Sequence, residues 1–146
     1  MCRLTRKLFT RTNFKVYELS GLALQIQLHL LGLEIPMGML DSRYYTTDLE
    51  GWGKILYDLV FDSNLYKKDK FDCDKYALKA KVTCAEKYGL NAIGVALGHI
   101  PGGYHGFNIF FYAEIGFMLF EPNEGFGYDG CFEIGEHGYK PEKVLI

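Results

Sequence analysis

Phe71-Asp72-Cys73-Asp74-Lys75-Tyr76-Ala77 opens the segment whose reading decides the fold. From Asp72 or Cys73 onward, Ala77, Ala80, Cys84 and Tyr88 recur about four apart, which is the spacing of one helix face, and Gly89 supplies the stop. The small residues on that face predict a helix lying close against a sheet. Downstream, hydrophobic runs alternate with turn residues. Residues 91–97 predict a strand, 98–103 a turn, 105–112 a second strand rich in Phe and Ile, 117–121 a third strand stopped by Pro122, and 131–134 a last short one. A helix followed by such a meander predicts an α+β fold, with the thiol-bearing helix packed on an antiparallel β-sheet.

Upstream of this segment, Leu22, Leu24, Ile26, Leu28 and Leu30 alternate with Ala23, Gln25, Gln27 and His29, a period of two that predicts a strand. Pro36 and Gly38 end that block and open a loop through Asp41-Ser42-Arg43-Tyr44-Tyr45. A helix is expected next, capped by Thr47 or Asp48, with Leu49, Trp52, Ile55, Leu56, Leu59 and Val60 on one face and Asp62-Ser63-Asn64 as its break. Neither an internal repeat nor a linker divides the chain. The expectation is one domain over residues 1–146, in which 1–36 form an N-terminal arm and strand region.

The 146 residues are enough to bury a core without staples. Eleven Tyr, eleven Phe and 17 Gly favour strands and tight turns over a helical bundle, and 49% hydrophobic content excludes disorder. A formal net charge of −2 provides no field for nucleic acid or anionic lipid. Arg3, Arg6, Lys7, Arg11 and Lys15 read as a solvated arm. With the apolar stretch 22–33 behind them they imitate a signal peptide, but Gln25, Gln27 and His29 interrupt the stretch and no small-residue cleavage site follows. No run of about 18 apolar residues exists, so a cytoplasmic, non-membrane protein is expected. The four cysteines form no CxxC pair, which argues against structural zinc. Cys73 and Cys84, on one helix roughly 16 Å apart at ~1.5 Å per residue, can share neither a metal nor a disulfide.

The chemistry lies in the order Cys73, His105, Glu121. A thiol is a strong nucleophile only as thiolate, so it needs a base within hydrogen-bond reach and a third group to hold that base. Singly, each residue has a plain structural role: a core Cys, a hydrogen-bonded His, a solvated Glu. Together they fall at a predicted helix start, a strand start and a strand end, and Gly102-Gly103 and Gly106 around the His leave room for a substrate. His29, His99 and His137 are rivals for the base; His99 falls in the expected turn, where a ring is harder to hold, and His105 is preferred. The helix N-terminus lowers a thiol's pKa, whereas the flanking Asp72 and Asp74 raise it. Two arrangements offset them: Asp72 caps the helix with its carboxylate on backbone N–H groups, or Asp72 and Asp74, with Asp69, hold a cation such as Ca²⁺. The Cys73 N–H is the natural oxyanion donor, with Gln25, Gln27 or Tyr66 as side-chain donors.

Phe71-Asp72-Cys73-Asp74-Lys75-Tyr76-Ala77, Tyr104-His105-Gly106-Phe107-Asn108 and Phe120-Glu121-Pro122 resemble the papain-like cysteine protease domain that forms the C-terminal part of the Marasmius oreades agglutinin, with its small microbial and phage relatives. Asp41-Ser42-Arg43-Tyr44-Tyr45, the Trp52 helix and the closing residues 132–146 also look similar, so the resemblance spans roughly residues 37–146. It implies a papain-like fold and a Cys-His-Glu triad of Cys73, His105 and Glu121. That agglutinin domain is a calcium-dependent protease that also mediates dimerisation, which implies a peptide or amide substrate and allows a homodimer here. The family's Asp-Asp after the cysteine is Asp74-Lys75 in this chain, which removes an acid from any metal set. A cysteine peptidase or amidase that requires no cofactor, with Ca²⁺ at Asp72 and Asp74 as the alternative, is therefore the expectation. A transglutaminase-like acyltransferase shares the same order of Cys, His and acid, and a non-catalytic interaction or dimerisation module shares the same fold.

Overall fold

The computed structural model describes residues 13–114, 116–128 and 130–146. The segment that carries the Cys73 thiol forms helix α3 (Cys73–Tyr88), ended by Gly89 in a left-handed conformation at φ 67°. It buries Tyr76, Ala77, Ala80 and Cys84. Beneath it lies an antiparallel sheet of β3 (Ile93–Ile100), β4 (Gly103–Tyr112), β5 (Gly116–Phe120), β6 (Cys131–Phe132) and β7 (Lys140–Leu145), in the order β6-β5-β4-β3-β7. A second, two-stranded sheet pairs β1 (Tyr17–Ser20) with β2 (Arg43–Thr46). The protein is mixed α+β, as expected.

Side chains of β4 alternate between two cores. Phe107, Ile109 and Phe111 pack with Leu24, Leu28 and Tyr139, while Phe110 packs with Trp52, Ala80, Cys84 and Phe120. Helix α2 (Leu49–Ile55) is capped by Asp48, whose side chain accepts from the Gly51 N–H at 2.7 Å, and it runs into a 3-10 turn over Leu56–Leu59. Trp52, Ile55, Leu56 and Leu59 are buried as expected, whereas Leu49 is 37% exposed at the helix start and Val60 leaves the helix in an extended conformation.

Four readings change in three dimensions. Residues 22–30 are not a strand but most of helix α1 (Gly21–Leu30), whose Ser20 cap accepts from the Ala23 N–H at 3.1 Å. Its core contacts come from Leu24 and Leu28, one turn apart, while Leu22, Ile26 and Leu30 stay 68%, 50% and 76% exposed. The period-two alternation therefore never separated core from solvent, and the helix preference of Leu, Ala and Gln prevailed. The loop expected through Tyr45 contains β2, fixed by the buried Tyr44, whose hydroxyl donates to the Ile146 carbonyl. The β3–β4 turn is shorter than read: Ile100 pairs with Gly103, so Pro101-Gly102 suffices and His99 is a strand residue opposite Tyr104. Finally, residues 140–145 form β7, which no hydrophobic run announces, since Lys-Pro-Glu-Lys-Val-Leu carries the charges and proline of an edge strand.

Arg3, Arg6, Lys7 and Arg11 of the basic arm lie outside the described residues, and Lys15 sits over the Tyr17 ring at 4.9 Å. Among the described residues no helix is long and apolar enough to cross a membrane.

Candidate active site

Cys73 is the first residue of α3 and is half-buried. Two features of β4 hold that helix end against the sheet. Gly106 lies directly under it: a Cβ there would stand 3.0 Å from the Asp74 Cα, 3.1 Å from the Asp74 N and 3.3 Å from the Cys73 carbonyl carbon. One turn further along, the Asn108 amide donates to the Ala77 carbonyl at 2.9 Å and to the Gly94 carbonyl at 3.0 Å, tying α3 to β3 and β4. A side chain at 106 would push the helix end back by a few tenths of an ångström.

His105 precedes Gly106, and its ring is buried. Its Nε2 meets the Glu121 Oε2 at 2.7 Å, which leaves Nδ1 as the ring nitrogen available to the Cys73 thiol. In the β4–β5 ladder Asn108 faces Phe120, so Glu121, one residue on, returns to the face that carries His105 and Phe107. Glu121 is itself buried and held from two sides: the Tyr139 hydroxyl donates to its Oε2 at 3.0 Å, and the Asn123 N–H donates to its Oε1 at 3.1 Å. The Phe126 ring, at the end of the turn capped by the Asn123 side chain, lies 4.8 Å from the His105 ring.

These contacts set the proton affinities. A hydrogen bond with His105 is the largest influence on Cys73; with the Gly106 amide and the imidazole charge it outweighs burial and the nearby Asp72, so the thiol is held below its ordinary range. Burial alone would lower His105, but hydrogen bonds to Cys73 and Glu121 and their charges prevail and raise it to about 9. The other described thiols move the opposite way. Burial pushes Cys84 up to about 12 and also raises Cys131. Tyr139 is raised by burial and by Glu121, which keeps it a neutral donor.

Asp72 occupies the N-cap position but its side chain makes no capping bond, contrary to the capping expectation. Its carbonyl accepts from the Lys75 and Tyr76 N–H groups, while its carboxylate pairs with the Lys75 ammonium at 3.1 Å. That ammonium also reaches the Asp74 carboxylate at 3.1 Å. Hydrogen bonding with Asp74 and then with Lys75 lowers the Asp72 pKa. Lys75, two residues after the thiol, thus sits between the two acids named as cation ligands. Asp69 belongs to the preceding turn, at φ 60°. Among the described residues no group of three or more His, Cys, Asp or Glu is placed to hold a metal ion.

The rival histidines lie elsewhere. His99 faces Glu142 at 3.2 Å on an exposed stretch of β3, His137 stacks on Tyr128 at 4.3 Å, and His29 is exposed at the end of α1. Of the side-chain oxyanion donors considered, Gln25 and Gln27 ride on α1. Gln27 lines a surface recess with Tyr112 and Phe117, at the opposite end of β4 from His105, roughly 20 Å away at ~3.3 Å per residue. Tyr66 ends the turn that receives the Tyr76 hydroxyl at the Asp62 carbonyl, and it is half exposed. Tyr139 and Asn123 are the functional candidates that the sequence reading missed. Tyr139 immediately precedes the unread strand β7, and reading that strand would have drawn attention to it.

Comparison with protein-family models gives no match, and no curated protein matches. Among solved structures, the chain is similar to one described as "PSL1a-E64 complex", at a TM-score of 0.64 and 19% sequence identity, over 88% of this chain and 51% of that one. The chain thus spans about half the length of that neighbour, and the two share a fold.

Proposed function

We propose that the protein is a papain-like thiol hydrolase of peptide or amide bonds, with Cys73 as nucleophile, His105 as proton carrier and Glu121 as the group that orients the ring. The single observation that carries this reading is the chain of contacts from Tyr139 through Glu121 to His105, ending on the one described thiol whose pKa is lowered. The lowered Cys73 and the raised His105 favour a thiolate–imidazolium pair near neutral pH. In the first step the thiolate adds to the substrate carbonyl, and the C–N bond then breaks as the imidazolium gives its proton to the leaving nitrogen. In the second step the neutral imidazole takes a proton from water, whose oxygen attacks the thioester; the acid product leaves and the Cys73–His105 pair regains its charges. The first amides of α3, at Cys73 and Asp74, have no carbonyl partner within the helix and are the donors for the developing oxyanion. Glu121 fixes the tautomer and supports the imidazolium.

The structural neighbour is a complex with E64, a cysteine-protease inhibitor, and this supports the same reading and supplies its test. Incubation with E64 followed by intact-mass measurement and peptide mapping should place one adduct on Cys73, absent in Cys73→Ser. Either an unmodified protein or equal modification of Cys73, Cys84 and Cys131 would refute the proposal.

A further inference from the structure

The two edges of the five-stranded sheet differ. Outside β7 the chain covers itself: the Glu34 N–H donates to the Glu142 carbonyl and the Val144 N–H to the Glu34 carbonyl, each at 2.8 Å. Lys140, Pro141 and Lys143 add the charges and proline that discourage further pairing there. At the other edge, β6 covers only the last two residues of β5, with Leu119 opposite Phe132 and Phe120 opposite Cys131. The chain then peels away, because the Glu133 N–H donates to the Glu136 carboxylate at 2.9 Å instead of continuing the ladder. Among the described residues, Gly116-Phe117-Met118 therefore has a strand partner on its β4 side alone. That stretch carries neither charge nor proline. Beside it opens a recess of about 370 Å³, at the end of β4 far from His105, walled by Leu30 and Leu31 of α1, Phe117 and Ile134. Glu133 is the one charged group among the described residues that line it.

We propose that this open edge takes an extended segment of a partner protein as an added strand beside β5, a segment with apolar side chains at alternate positions and a lysine or arginine among them. Three observations select that occupant. Backbone groups on a strand edge are satisfied in regular register by another strand, which calls for an extended peptide rather than a helix or a lipid surface. Side chains of β5 alternate across the sheet: Phe117 and Leu119 join the core under α1, with the Phe117 ring 5.2 Å from that of Phe111, whereas Met118 packs on the Trp52 side. Every second side chain of an added strand thus falls on the α1 face, where Leu30, Leu31 and Ile134 are exposed and would lose contact with water. Glu133, finally, gives the recess a negative charge that complements a cationic residue and disfavours an acidic one. The edge lies away from the thiol, so it can hold a partner without entering the hydrolytic site.

The test titrates the full chain, its Cys73 alkylated by iodoacetamide so that no peptide is cleaved, into the fluorescein-labelled peptide Lys-Thr-Leu-Thr-Leu-Thr-Lys, with fluorescence anisotropy as the readout. A saturable rise is expected, and it should vanish for the same peptide N-methylated at the central Thr and both Leu, which can no longer donate to a strand. Leu30→Lys, a change at an exposed site, should weaken binding roughly tenfold by removing one apolar contact, and Glu133→Lys about threefold or more by reversing the charge. Protein whose thiol is left free in Cys73→Ser should bind as the alkylated wild type does. No binding, equal binding of the N-methylated peptide, or binding untouched by both Leu30→Lys and Glu133→Lys overturns the proposal. So does a difference between alkylated and Cys73→Ser protein, which would put the peptide in the thiol site. If sedimentation shows a wild-type dimer that Leu30→Lys dissociates, the edge is occupied by a second copy and the assignment to a partner protein is wrong.

Discussion

Gly106→Ala adds one carbon at the point where β4 touches the start of α3. That Cβ would stand 3.0 Å from the Asp74 Cα, 3.1 Å from the Asp74 N and 3.3 Å from the Cys73 carbonyl carbon, all of them backbone atoms that no side-chain rotation can move. Carbon pairs prefer ~3.5–4.0 Å, so the helix end must retreat by roughly 0.5 Å. Overpacking of this kind costs about 1–3 kcal/mol, which for a chain of this size lowers the melting temperature by roughly 3–10 °C. The same retreat lengthens the thiol–imidazole contact. Because misplacement by about 1 Å can cost ~100-fold in an active site, half that distance predicts roughly a tenfold loss. The assay is the second-order rate of Cys73 alkylation at pH 6–7, read by peptide mapping, beside thermal melting. Gly102→Ala is the control: no atom lies within 4 Å of the Cβ it would carry, so both readouts should stay near wild type. If Gly106→Ala alkylates and melts like wild type, the close approach does not position the thiol and the account of this helix end is wrong.

Four further outcomes follow from the proton affinities and the hydrogen bonds. Raising the pH through about 9 should abolish hydrolysis, since the imidazolium that protonates the leaving group is lost there; His105, raised from 6.5, stabilises the fold fully below 6.5 and ceases to do so above about 9, whereas the depressed Cys73 acts in the reverse sense and loses its contribution as pH falls. In Glu121→Gln the upper limit should move down by roughly 1–2 units, the equivalent of a ~1.5–3 kcal/mol hydrogen bond between charged groups, and a histidine NMR titration that stays near 9 would contradict the role given to Glu121. Tyr139→Phe keeps the buried ring but deletes its bond to Glu121; kcat should fall with KM little changed, at a stability cost of about 1–3 kcal/mol, and a variant that loses stability with an unaltered pH–rate profile would make Tyr139 merely structural. Asp72→Ala should cost no more stability than removing its ion-pair partner by Lys75→Ala, because the Asp72 side chain caps nothing, and should shift Cys73 alkylation to lower pH by removing a charge that opposes the thiolate; a further loss of ~1 kcal/mol in Asp72→Ala beyond Lys75→Ala would restore the capping role.

How much was legible without coordinates differs from one element to the next. The helix of Cys73 could be read from its own residues, because small side chains four apart and a closing Gly are local signals that tertiary packing then used unchanged. The Asp48 cap, the Trp52 face and the strands of β4 and β5 were legible for the same reason. Residues 22–30 were not, since their alternation of apolar and polar residues is compatible with a strand and only the burial of Leu24 and Leu28 selects the helix. Strand β7 was hidden because an edge strand advertises charge and proline rather than apolar period.

At the site itself, the sequence determined which groups are present and roughly which element carries each: a thiol at a helix start, an imidazole at a strand start, a carboxylate at a strand end. Distance is not a sequence property. That Gly106 rather than Asp72 governs how near the thiol helix comes, that Tyr139 from the far edge strand's approach holds Glu121, and that Lys75 sits between the two acids were decided only by register and by the crossing of α3 over β4. The physical reason is that hydrogen bonds and van der Waals contacts act within a few ångströms, and residues dozens of positions apart reach that range only once the sheet has fixed their neighbours.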